Sequence, residues 1–237
     1  MRKSTVDEIR QRFDADVERF ASLQTGQQTT IDAPLVLELI AEAAAAVTSE
    51  ATHLLDIGCG AGNYALRLLA ERPGLHVDLV DLSRPMLDRA VERVVPATSG
   101  TVRAIQADVR DLDLESERYD IVVAAAVLHH LRTDAEWDAV FSAIHRALKP
   151  GGSVWISDLV THSVEAVQDL MWHRYGGYLT GLDGEAFRNR VFAYIEQEDS
   201  PRPLVEQLDQ LRAVGFDRVE VLHKTSVFAA FGAVKAR

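Results

Sequence analysis

A chain of 237 residues, 47% of them hydrophobic, holds enough apolar material for one sizeable α/β core and too little for two. Its 36 acidic and 25 basic residues leave a formal charge of −11, which argues against a broad phosphate-binding surface and so against nucleic acid as a partner. One cysteine, Cys59, excludes an intrachain disulfide; the N-terminus is too polar for a secretory h-region, and the longest apolar run, residues 121–128, is far below the roughly 20 residues of a membrane helix. These features give the expectation of a cytoplasmic protein.

Residues 4–20 carry Val6, Ile9, Phe13, Val17 and Phe20 at helical spacing, an apolar stripe that must dock on the rest of the domain or on a second copy, so a homodimer is one possibility. Residues 21–30 are polar and aperiodic, and read as a linker or as a lid over a ligand. Asp32 is placed to cap a helix over 34–47, with Pro34 in its first turn.

The stretch from His53 to Ala65 organises the chain. Leu54, Leu55 and Ile57 suit a strand buried on both faces. Gly58, Gly60 and Gly62 then make a turn that a ligand can approach without meeting a Cβ, and the helix that follows offers unpaired N–H groups. A dinucleotide turn, G-x-G-x-x-G, would have glycine where Asn63 stands, which weakens a nicotinamide oxidoreductase reading. Cys59 is expected to pack in the turn, with no neighbouring His or Lys to activate it.

A helix over 64–70 is stopped by Arg72-Pro73-Gly74, and the strand 76–81 ends on Asp81, where α/β nucleotide sites place a ribose-binding acid. Leu82, Ser83, Pro85 and Met86 open the next helix. A strand over 101–107 closes on Asp108, and the most apolar segment, 119–128, is expected at the centre of the sheet. After His129 and His130 come a helix over 134–148, stopped by Lys149-Pro150-Gly151-Gly152, and a strand over 153–158. Residues 159–200 carry seven or more aromatic and histidine side chains in helical settings broken by Gly176-Gly177 and Gly181, and read as an insertion over the site mouth. A helix over 203–214 and strands over 218–222 and 226–235 complete the chain.

Four patterns resemble one family. Asp56-x-Gly58-x-Gly60-x-Gly62, Asp81-x-Ser83-x-x-Met86-Leu87, Leu128-His129-His130-Leu131 and Leu148-Lys149-Pro150-Gly151-Gly152 are similar to the motifs of class I S-adenosylmethionine-dependent methyltransferases. The resemblance is firm over 34–158 and looser beyond. It implies a doubly wound, Rossmann-like α/β fold, with seven mostly parallel strands, an antiparallel C-terminal strand, an N-terminal helical arm (1–33) and a helical substrate cap (159–200), all in one domain. It implies S-adenosyl-L-methionine as cofactor, S-adenosylhomocysteine as product and a small-molecule methyl acceptor. Carried over by position, Asp56, Ile57, Gly58, Cys59, Gly60, Gly62 and Asn63 would surround the methionine and ribose portions, and Asp81 with Leu82 the ribose. Met86, Asp108, Val109 and Ala125 would border the remainder, with the Asp108 carboxylate accepting from the adenine amine.

Where the acceptor must lose a proton, His129, His130, Asp158, His173 and Tyr175 are the candidate catalytic groups. No metal site is expected, on the argument that adjacent histidines of an extended segment point apart. The arm, the insertion and the ending Val227-Phe228-Ala229-Ala230-Phe231 also resemble carboxy-S-adenosylmethionine synthases of tRNA wobble-uridine modification. A non-catalytic binding subunit of the same fold is the alternative from another class.

Overall fold

The structure, a computed structural model, describes residues 2–22 and 26–237. Leu23, Gln24 and Thr25, part of the segment read as a linker or a lid, lie outside the described residues.

Among the described residues the arm holds two helices, α1 (Val6–Ala15) and α2 (Val17–Ala21), over the stretch whose periodicity suggests one. Thr5 and Glu8 close a capping box on α1, and the chain leaves helical geometry at Asp16, φ −115°. The doubly wound unit follows in order: α3 (Ala33–Val47), β1 (His53–Ile57), α4 (Asn63–Glu71), β2 (His76–Asp81), α5 (Arg84–Val94), β3 (Val102–Gln106), β4 (Tyr119–Ala125), α6 (Asp134–Ala147) and β5 (Leu148–Leu159). A long helix, α7 (Glu165–Glu198), then α8 (Leu204–Ala213), β6 (Phe216–Thr225) and β7 (Phe228–Lys235) finish it.

The seven strands are ordered β3-β2-β1-β4-β5-β7-β6. β1 pairs in parallel with both β2 and β4, and β7 runs antiparallel to β5 and β6. Both faces of the sheet are covered, as unalternated strands require. Leu55 and Ile57 face a core containing Trp137, Phe141 and Ile144 of α6 and Leu211 of α8. Leu54, Val77 and Leu79 face the opposite core with Ile40 of α3, Leu68 of α4 and Leu87 of α5. Strand order reverses between β1 and β4, so their carboxyl ends open a crevice at the topological switch point, where open α/β sheets bind ligands.

Four expected boundaries move, one of them β6, which runs Phe216–Thr225 rather than 218–222. β4 stops at Ala125 rather than 128, because Ala126 turns into the left-handed region (φ 52°) and donates its N–H to Ser157 O at 2.8 Å. Residues Leu128–His130 then form a 3-10 turn. α7 runs through Gly176, Gly177 and Gly181 and breaks instead at Asp183 and Gly184. Gly176 serves packing: a Cβ there would lie 3.3 Å from the Phe192 ring on the far side of the break, and Trp172 stacks on Phe192 at 4.5 Å. β5 starts at Leu148, so Lys149-Pro150-Gly151-Gly152 ends the helix and at once enters the ladder.

Candidate functional site

At the crevice lies a cavity of about 190 Å³. Its floor is the glycine turn. Gly58, Gly60 and Gly62 have φ of 66°, 50° and 82°, a left-handed run that L side chains adopt only at a cost of roughly 1–2 kcal/mol each. At Gly60 an added Cβ would meet nothing within 4 Å, the open space a ligand needs. Gly62 does not line the cavity; a Cβ there would press on Val94 and Ala90, so it lets α4 and α5 approach.

Two acids hold the turn. Asp81, at the end of β2, accepts from the N–H of Gly60 and of Ser83, each at 2.8 Å, with spare lone pairs on both oxygens. Asp56, 2% exposed, accepts from the Ala65 N–H at 3.2 Å. Burial pushes its carboxyl up to about 7, against that one hydrogen bond. Burial also raises the Cys59 thiol, which makes it less reactive.

Ile57, Gly58, Cys59, Asn63, Leu82, Met86, Asp108, Val109 and Ala125 join Asp56, Gly60 and Asp81 in the lining. Asp108 is already engaged: Arg110 Nε and Nη2 grip its two oxygens at 2.8 and 2.6 Å. Arg110 also lines the cavity and lies 3.5 Å from Glu136.

The roof is the arm. Val6, Ile9, Phe13 and Phe20, the stripe visible in the sequence as a docking face, line the cavity from above, with Gly26, Gln27 and Thr30 beside them. Polar latches hold the roof on both flanks. On the floor side Asn63 Nδ2 donates to Phe20 O at 3.0 Å, and Ser83 Oγ to Asp14 at 2.6 Å. On the other, Arg12 pairs with the buried Glu198 at 2.7 Å, Ser4 Oγ donates to the same oxygen at 2.5 Å, and Lys3 donates to Glu196 O. Glu198 and Asp199, at the end of the stretch read as an insertion over the site mouth, were not singled out in the sequence.

The five candidate catalytic side chains fall in three places. His129 lies behind the wall, its Nδ1 hydrogen-bonded to Asp158 and its Nε2 3.6 Å from Asp199. Burial alone would lower its pKa, but the charges of Asp158 and Asp199 outweigh it and push it up to about 9. Asp158 is fixed by the N–H groups of Leu128, His129 and Leu159 at 2.9, 3.2 and 2.8 Å. His130 reaches the cavity wall against Phe13. Burial and the His129 charge hold it well below its ordinary value, and its Nδ1 is buried on the Asp199 side. Tyr175 is buried in the aromatic cluster of α7 and donates to Thr29 O at 3.0 Å, pinning the segment before α3. His173 sits in a separate, more open depression with Arg174 and Lys224. The two adjacent histidines do not point apart as an extended segment would have required: on the 3-10 turn their ring centroids are 4.4 Å apart.

Residues 54–152 match the family model described as a methyltransferase domain. Over that segment the chain is similar to methyltransferase domains. It is 32% identical over 120 residues to an uncharacterized methyltransferase of Mycobacterium tuberculosis, covering 51% of this chain and 55% of that protein; the matching segment thus spans about half the length of such relatives. A carboxy-S-adenosyl-L-methionine synthase of Aeromonas salmonicida is 27% identical over 210 residues, 85% of this chain and 82% of the synthase. Among solved structures, a DhpI–SAH complex superposes with a TM-score of 0.65 at 20% identity, over 98% of this chain and 97% of that one. Among the described residues, no helix is long and apolar enough to cross a membrane.

Proposed function

We propose that this protein transfers the methyl group of S-adenosyl-L-methionine to a small-molecule acceptor enclosed between the glycine turn and the arm, releasing S-adenosylhomocysteine. The observation that carries this reading is the convergence of Asp56, Gly60 and Asp81 on one cavity at the switch point. The glycine turn would carry the methionine and ribose portions, Asp81 the ribose hydroxyls, and Met86 with Val109 the adenine faces. A sulfonium supplies an activated methyl, so the acceptor attacks carbon while the S–CH₃ bond breaks and its electron pair returns to sulfur. The protein's part is then chiefly to hold the two reactants in line, an effect of up to roughly 7–11 kcal/mol in favourable systems. The apolar roof, Ile9 and Phe13, suits a compact and partly apolar acceptor. His129, charged between two carboxylates, is a positioning group in this reading; Asp158 and Asp199 spend their charge on it.

The long alignment with the Aeromonas synthase, arm and insertion included, favours a second reading, an enzyme that makes a carboxylated sulfonium. Against it, the guanidinium at the cavity wall, Arg110, is already held by Asp108 and Glu136 instead of facing a ligand carboxylate. Calorimetry with S-adenosylmethionine, followed by an acceptor screen read by S-adenosylhomocysteine release, tests the proposal. Saturable binding and acceptor-dependent release support it; no binding sinks it. A cofactor product heavier by a carboxyl group would establish the second reading instead.

A further inference from the structure

Behind the His130 wall, three side chains converge on one another with donor atoms left over. Asp199 Oδ1 lies 3.6 Å from His129 Nε2 and 3.5 Å from His130 Nδ1. One donor atom from each of the three lies within 4.8 Å of the other two. The Asp199 side chain is only 4% exposed, and neither its Oδ1 nor His130 Nδ1 has a hydrogen-bond partner. A buried polar atom left unsatisfied costs about 1–3 kcal/mol, and more when charged, so two facing each other need something between them. A proton on His129 alone bridges Asp158 and Asp199 and still leaves the lone pair of His130 unused.

We propose that His129 Nε2, His130 Nδ1 and Asp199 Oδ1 form a binding site for a zinc-type divalent metal ion. Two imidazoles and one carboxylate are a donor set that borderline-soft cations take. Ligand atoms about 2.0–2.1 Å from a tetrahedral centre stand roughly 3.4 Å from one another, so the observed 3.5 and 3.6 Å need little contraction. The supporting shell is in place as well. Asp158 takes the Nδ1 side of His129 and turns Nε2 toward the site, the carboxylate–histidine–metal arrangement, and three backbone N–H groups fix Asp158 in turn. Loading replaces the His129 proton, so two neutral imidazoles and the carboxylates of Asp158 and Asp199 balance the charge of the ion. The ion would tie the Leu128–His130 turn to the residue that follows α7, a junction already closed by the Ser200 N–H on His129 O at 2.6 Å. None of this depends on methyl transfer.

The test is a Zn²⁺ titration of chelator-stripped full-length protein against a chromophoric competitor, repeated with Co²⁺ and read by visible absorption. Expected are one equivalent per chain, a raised Tm, and the intense d–d bands of a low-coordinate Co²⁺ site. Asp199→Asn and His130→Gln should abolish binding, and Asp158→Asn should weaken it about 10–100-fold, the loss typical of a supporting carboxylate. His76→Gln, in the separate His53–His76 stack, should leave it unchanged. Binding retained in Asp199→Asn and His130→Gln, or absent from the unmodified protein, overturns the site. Should a variant fail to fold, X-ray absorption of the Co²⁺-loaded unmodified protein decides instead: two imidazole ligands support the site, and none refutes it.

Discussion

The floor and roof of the cavity are built on opposite plans. The floor is backbone: a left-handed glycine run, strand ends fixed in register, and two carboxylates accepting from N–H groups 9 and 21 residues away in sequence. The roof is side chain: apolar contacts from a helical arm, and polar latches such as Ser4 to Glu198 that join residues 194 positions apart. A floor of this kind leaves no room for a side chain at Gly58 or Gly62, where an added Cβ would stand 2.6 Å from Val127 and 2.9 Å from Val94. A roof of this kind can lift, because each latch is a single interaction worth about 0.5–3 kcal/mol.

The difference is sharpest at Gly60. Gly60→Val should weaken S-adenosylmethionine binding about 100-fold or more, nearly 3 kcal/mol, because the new side chain enters the space the ligand needs. Tm should fall only modestly, and calorimetry beside a thermal melt separates the two. Asp81→Ala comes next: the turn loses the acceptor for the Gly60 and Ser83 N–H groups and, on the proposed function, the ligand loses its ribose partner, for a roughly 10–100-fold loss of affinity.

On the roof, Glu198→Ala leaves Arg12 and Ser4 without their shared acceptor and should destabilise arm docking by about 1–3 kcal/mol. Hydrogen exchange would show it as faster labelling of α1 and α2 with β1 and β4 unchanged; equal acceleration in the central strands would abolish the distinction drawn here. The smallest effect is one of pH. Asp56 titrates near 7 in the fold against roughly 3.9 in an unfolded chain, so the fold prefers its neutral form, and stability contributed by this group falls as pH rises between those values. A cationic cofactor prefers the carboxylate. Binding should therefore tighten a few-fold between about pH 6 and 8, with proton release, and Asp56→Asn should flatten the profile.

The same contrast explains what could be read from the chain. Asp56, Gly60 and Asp81 act through local geometry, strand then turn then helix, so their spacing already carries their placement. The 3-10 turn at Leu128–His130 was hidden because nothing in Ala124-Ala125-Ala126-Val127 announces that Ala126 goes left-handed; a tertiary hydrogen bond to Ser157 holds it there. That one turn changed the reading of both histidines. Gly176 and Gly184 show the opposite error: a glycine that packs and a glycine that breaks look alike in sequence, and Phe192 tells them apart. Asp199 was illegible for a plainer reason, since its partners lie 69 and 70 positions away.

β7, described above as the antiparallel member, sits between β5 and β6 and not at the rim. During synthesis β6 leaves the ribosome first, yet it has no neighbour to join until β7 has slotted in beside β5. The close seat of Gly232, where a Cβ would stand 2.3 Å from the Trp155 ring, means that this slot accepts only glycine at position 232. Until it is filled, β5 is a raw edge able to recruit a foreign strand, so the nascent polypeptide is most prone to aggregate after β6 has emerged and before β7 has.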